Sequence, residues 1–126
     1  MRLLGIDYGS KRVGIALSDE AGQFAIPLVV LNTRENLLEE IVDIAKENKV
    51  ISIIIGESKN YKGEPNTIMS ESINLKKDLE TKGFKVHFEP EFMTSAHAEK
   101  LQGKHDMLDA SAAALILQSY LDRQKI

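Results

Sequence analysis

The feature that most restricts the fold is the run Val50-Ile51-Ser52-Ile53-Ile54-Ile55, bounded by Lys49 and Gly56. β-Branched residues favour the pleated backbone, and a run with so little polar alternation reads as a strand buried on both faces. Such a strand needs helices above and below it, and the flanking segments supply them. Leu37, Leu38, Ile41, Val42 and Ala45 recur at helical spacing, with Glu39, Glu40, Asp43, Lys46 and Glu47 on the outer side. Asn32 and Thr33 ahead of them suit a helix cap. Ile68, Ser72, Leu75 and Leu79 mark a second helix that stops at Gly83. Phe84, Val86 and Phe88 then alternate with Lys85 and His87, giving a strand with one face on the core. A short helix is expected to begin at Thr94 or Ser95 and end at Leu101. The last helix starts near Asp106, carries Ala110-Ser111-Ala112-Ala113-Ala114, and ends in Leu121-Asp122-Arg123. Its small residues allow a close approach to the sheet.

The amino-terminal part reads as a three-stranded antiparallel meander. Arg2-Leu3-Leu4-Gly5-Ile6-Asp7-Tyr8-Gly9 turns at Gly9-Ser10-Lys11 into Arg12-Val13-Gly14-Ile15-Ala16-Leu17-Ser18. Asp19-Glu20-Ala21-Gly22 turns again into Ala25-Ile26-Pro27-Leu28-Val29-Val30-Leu31, and Pro27, which cannot donate to a ladder, makes this third strand an edge. The element order βββαβαβαα gives an α/β fold with a five-stranded mixed sheet in the order 3-2-1-4-5. Strand one is then central, and the crevice at its carboxyl end, where strands one and four adjoin, is where ligands of such sheets bind.

Composition narrows the function classes. The 126 residues, 43% hydrophobic and 28% charged, suit one domain spanning 1–126. The absence of cysteine removes disulfides, thiol nucleophiles and thiolate metal sites, and fits a reducing compartment. No stretch reads as a signal peptide or membrane span, so the expected location is cytoplasmic, with no membrane partner. A net charge of −3 argues against nonspecific coating of nucleic acid. It leaves room for an enzyme whose acidic metal site offsets a basic rim.

Acids gather at the expected crevice. Asp7 interrupts an apolar strand near its end, where a carboxylate requires a cation, a donor or a ligand. Glu57 follows the buried strand and is expected beside Asp7. Glu91 lies just past the fifth strand, and Asp106 and Asp109, three apart, share one face at the start of the last helix. Each also has an ordinary reading. Asp7 can accept from the turn after it, Asp106 can cap its helix with Asp109 favouring the helix dipole, and Glu57 and Glu91 can be solvated. His105 beside Asp106 is either a proton-transfer partner or a surface residue. Together the carboxylates repel one another and call for a divalent cation. Oxygen-only ligands suit two magnesium or manganese ions, whose chemistry is phosphodiester hydrolysis. Lys11, Arg12, Lys59 and Lys62 lie on loops near this rim and are candidate phosphate contacts.

The segment Gly5-Ile6-Asp7-Tyr8-Gly9-Ser10-Lys11-Arg12-Val13-Gly14-Ile15-Ala16-Leu17-Ser18-Asp19 closely resembles the opening motif of the YqgF family. Asp109-Ala110-Ser111-Ala112-Ala113-Ala114-Leu115-Ile116-Leu117-Gln118-Ser119-Tyr120-Leu121 resembles its closing motif. The resemblance implies an RNase H-like fold, kinship with Holliday junction resolvases, and Asp7, Glu91 and Asp109 as active-site residues. The middle of the chain departs from the family. Gly56-Glu57-Ser58 stands where Gly-Leu-Pro is usual, and Phe92 replaces the arginine that follows Glu91. Asp7, Glu57, Asp106 and Asp109 instead resemble the metal ligands of the resolvase branch. The implied function is metal-dependent cleavage of structured nucleic acid, foremost the 5′ end of precursor 16S rRNA, with ribosomal particles as partners. The alternatives are resolution of four-way DNA junctions by a homodimer and a non-catalytic nucleic-acid-binding module. The likeness of the opening hairpin to actin-like and sugar-kinase ATPases implies two domains, for which the chain is too short.

Overall fold

The computed structural model describes residues 2–57, 67–90 and 108–124. Its strands are β1 (Arg2–Tyr8), β2 (Arg12–Ser18), β3 (Ala25–Asn32), β4 (Val50–Glu57) and β5 (Lys85–Pro90). The helices are α1 (Leu37–Glu47), α2 (Thr67–Thr81) and α3 (Leu108–Arg123). The sheet order is β3-β2-β1-β4-β5, with β2 antiparallel to both β1 and β3 and with β4 parallel to both β1 and β5. The expected order and the edge position of Pro27 are therefore borne out. The short helix expected after Thr94 lies outside the described residues, as do Lys59, Lys62, Glu91, His105 and Asp106.

The sheet separates two apolar clusters, and β1 shows how alternation feeds both. Leu4 and Ile6, fully buried, pack with Ile41, Val42 and Ala45 of α1 and with Leu75 and Leu79 of α2. Between them Gly5 turns to the opposite face, where Ala113, Ile116, Leu117 and Leu121 of α3 lie against Ala16 and Ile54. A Cβ on Gly5 would stand 2.8 Å from the Leu117 Cβ and 2.9 Å from the Ala113 carbonyl oxygen. The alanine-rich helix thus approaches the sheet as expected, and its counterpart is a glycine in the central strand.

Two local expectations are revised. Asn32 and Thr33 do not cap α1: the residue before that helix is Asn36, which makes no side-chain cap hydrogen bond. Thr33 instead donates its backbone N–H to the Lys11 carbonyl at 3.0 Å and its hydroxyl to the Gly9 carbonyl at 2.8 Å. The end of β3 is thereby tied to the turn that follows Asp7, and the hydroxyl is committed to that turn. The second revision concerns β4, which is buried on both faces only from Ile53 onward, since Ile51 is 43% exposed.

Replacing Gly5 by alanine drives a methyl group into helix backbone that has no rotamer to yield. Urea unfolding should therefore lose about 2 kcal/mol or more, by the cost of overpacking a rigid contact. Gly83→Ala faces no neighbour within 4 Å but a φ of +100°; its loss should stay near about 1 kcal/mol. Equal losses for the two variants would contradict the close-contact account.

Candidate active site

Asp7 is the next-to-last residue of β1. It pairs with Gly14 of β2. On the other side Ile6 pairs with Ile55, so one residue further Asp7 has Gly56 of β4 as its neighbour. By alternation Asp7 shares the face of Gly5, the α3 face. Asp7 thus has a glycine beside it on each adjoining strand. The following turn is tight, because a Cβ on Gly9 would lie 2.7 Å from the Arg12 carbonyl oxygen. That turn carries the exposed Lys11 and Arg12 within a few residues of Asp7.

Helix α3 begins toward the same edge. Its carboxy-terminal half reaches the β2–β3 turn through Gln118, which accepts from the Ala25 N–H at 2.9 Å and donates to the Gln23 carbonyl at 3.0 Å. That turn adjoins the start of β1, where the Leu3 N–H donates to the Ser18 hydroxyl at 2.8 Å. The helix therefore runs against β1, and its first turn, which includes Asp109, lies toward the carboxyl end of β1. Ala113, one turn beyond Asp109, is the residue whose carbonyl meets Gly5.

Glu57 ends β4 at the same edge but in a different register. The neighbour of Asp7 is Gly56, and Glu57 continues the Ile53–Ile55 side, which faces α1 and α2. It stands beside Tyr8 on the neighbouring strand. Among the described residues no three His, Cys, Asp or Glu side chains form a metal-binding group. Asp106 and Glu91 lie outside those residues.

Sequence reasoning missed two groups. Glu89 is 2% exposed and accepts from the Ser119 hydroxyl at 2.8 Å and from the Arg123 guanidinium. One residue pair earlier, His87 stacks on Tyr120 with ring centroids 5.9 Å apart. Both contacts hold the carboxy-terminal half of α3 to β5. The signal was present, since Glu89 alternates with Phe88 onto the face that a helix must cover, where a carboxylate needs a partner. The second group is Tyr8, which points to the α1/α2 face opposite Asp7 and packs against that core. Burial pushes its hydroxyl pKa up, and the charge of Glu71 with the hydrogen bond between them pushes it further.

An open α/β sheet of this order, with a closing helix laid along its central strand, is the RNase H-like fold. The solved structures with this fold include Thermus thermophilus RuvC bound to a Holliday junction substrate, at TM-score 0.63, 14% identity and coverage of 98% of this chain and 96% of that one. The Fowlpox virus resolvase in complex with Holliday junction DNA matches at TM-score 0.64 and 13% identity over the full length of both. The chain belongs to the RuvX family, described as Holliday junction resolvase, whose model matches residues 1–123. Relatives named "Putative pre-16S rRNA nuclease" occur in Sulfurihydrogenibium sp., 35% identical over 97% of this chain and 90% of the relative. Another, in Lactobacillus delbrueckii subsp. bulgaricus, is 33% identical over 99% of both.

Arg123→Ala should cost about 1–2 kcal/mol in urea unfolding at pH 7, because it strands a buried carboxylate, discounted for the exposure of the arginine. Glu89→Gln removes the charge with its partner's need and should cost less. The Tyr8 hydroxyl favours its neutral form in the folded chain, so its contribution is complete below the ordinary tyrosine range and is lost as pH rises through the elevated folded value. Ultraviolet titration of tyrosinate should show its transition moving down in Glu71→Gln; an unmoved transition would contradict the Tyr8–Glu71 contact.

Proposed function

We propose that the chain is a divalent-metal-dependent endonuclease that hydrolyses phosphodiester bonds in structured nucleic acid, with precursor 16S rRNA as its substrate. The observation that carries this reading is Asp7, near the carboxyl end of the central strand between Gly14 and Gly56, with α3, whose first turn includes Asp109, packed on the same face of that strand. The substrate follows from relatives that cover nearly the whole chain and bear the pre-16S rRNA nuclease name.

The donor set fits hard cations, since every candidate ligand is a carboxylate and the chain has no cysteine. Asp7 and Asp109 form the core of that set, Glu91 and Asp106 extend it, and Glu57 is a further candidate. When bound, one or two magnesium or manganese ions supply Lewis acidity toward the phosphate and a nucleophilic water at neutral pH. The chain's own groups orient the substrate. Lys11 and Arg12 just after Asp7, with Lys59 and Lys62 in the sequence that follows β4, hold phosphates flanking the scissile one, and Arg12 offers the forked, bidentate geometry. Glu57, ending the strand beside β1, either reaches round the edge to the metal or acts on the opposite face of the strand.

The test offers purified protein precursor rRNA, free and within ribosomal particles, and a four-way DNA junction in parallel, with magnesium or manganese. Cleavage of the RNA, reduced at least about 10²-fold in Asp7→Asn by loss of a metal-bound carboxylate, is the expected result. Asp109→Asn should match it. Glu57→Gln at wild-type rate would remove Glu57 from the site and leave Asp7, Asp109 and Glu91. The family description favours one further reading, resolution of DNA junctions. A resolvase that cuts opposed strands works as a twofold dimer, so cleavage of the junction alone by a sedimenting dimer would replace the RNA reading. Cleavage of neither substrate would favour a non-catalytic binding module.

A further inference from the structure

Among the described residues Glu89 is the one charged side chain that the fold buries. Stability alone is a poor reason for it. Taking a carboxylate out of water costs about as much as its partner returns, and an apolar pair of similar size often serves as well or better. What a charged pair adds is direction. Glu89 divides its oxygens between residues one helical turn apart, Oε2 accepting from the Ser119 hydroxyl at 2.8 Å and Oε1 from the Arg123 guanidinium. A carboxylate held at i and i+4 fixes a helix both along its axis and about it.

Helix α3 has a use for such a fix. Residues 110–114, four alanines and a serine, offer the sheet only shallow ridges, which resist sliding weakly. On the other flank of the helix Gln118 bonds to the Ala25 N–H and the Gln23 carbonyl, at the opposite edge of the sheet. Ties on two flanks to two edges set the direction in which α3 crosses the strands. The tie to β5 lies level with Asp7. Gly56 pairs with Glu89 and adjoins Asp7, so both acids stand on the α3 face in one row across the strands, with a glycine between them. Two strand spacings put their Cα atoms about 10 Å apart.

We infer that Glu89 is a positioning residue for the site at Asp7. Through Ser119 and Arg123 it sets where α3, and with it the first turn that includes Asp109, lies over that row. The inference rests on the reading of Asp7 and Asp109 as acids of a nuclease. Both Glu89 oxygens are committed to the helix, so Glu89 acts through α3 and not on the phosphate.

The experiment compares the full wild-type chain with the double variant Glu89→Met/Arg123→Met, which fills similar space without charge, and with Ser119→Ala, which removes one tie and keeps the ion pair. Each is read by its urea midpoint, by kcat and KM for precursor rRNA in magnesium, and by amide NMR of residues 110–114. The double variant should unfold at or above the wild-type midpoint, because no carboxylate is left to desolvate. Its kcat should still fall about tenfold or more, with KM within about twofold, as when a reacting group is misplaced and not removed. Its amides at 110–114 should shift. Ser119→Ala should show the same pattern on a smaller scale, and it carries the test if the double variant does not fold. Recovery of kcat together with stability in the double variant would reduce Glu89 to a structural role and overturn the inference. Unmoved amides at 110–114 would overturn it too. A wild-type chain that cleaves no RNA would fail the nuclease reading by itself, and the amides would still decide whether Glu89 sets the helix.

Discussion

The contact on which the remaining architecture depends is the approach of α3 to Gly5. A helix can lie that close to a central strand only where both surfaces lack bulk, and the chain meets this condition twice, with Gly5 in β1 and Ala110 and Ala113 in α3, all buried. Closeness has a functional meaning here. On the proposed reading of Asp7 and Asp109, the depth at which α3 sits sets how near its first turn comes to the end of β1. Packing and chemistry are coupled through one missing side chain.

The order of the sheet was legible because each strand signal was local and each connection short. The β-branched run of β4, the alternation of β5 and the turn residues of the amino-terminal meander each specify an element without help from the others. What was not legible was committed elsewhere by tertiary contacts. Thr33 has a capping residue's chemistry, but its hydroxyl and N–H close the β1–β2 turn, a partner 24 residues away that no local pattern reveals. Glu89 was overlooked beside Glu91 because its partners, Ser119 and Arg123, are 30 and 34 residues further on.

The candidate site was legible in part for the same reason. Asp7 stands out in sequence because it breaks an apolar strand, and the sheet gives it glycine neighbours on either side. Glu57 was expected beside it from strand adjacency alone. Register adds what adjacency omits: one residue of offset in a pleated strand moves a side chain to the other face, so Gly56 is the neighbour of Asp7 and Glu57 that of Tyr8. Consecutive residues at a strand end thus open two separate environments, one toward α3 and one toward α1 and α2.

The anchorage of α3 is lopsided. Gln118, Ser119, Tyr120 and Arg123, all in its last two turns, fix it to β3 and β5, while nearer its start the described side chains, residues 110–114, are four alanines and a serine. Ten residues of helix separate Ser119 from Asp109, a lever of about 15 Å, so a tilt of roughly 4° at the clamp moves the far end by about 1 Å. Displacements of that size are enough to change a reaction rate by orders of magnitude. On the proposed reading of Asp109, the Glu89–Arg123 pair at the edge strand bears on how the helix is aimed at the other end of the sheet.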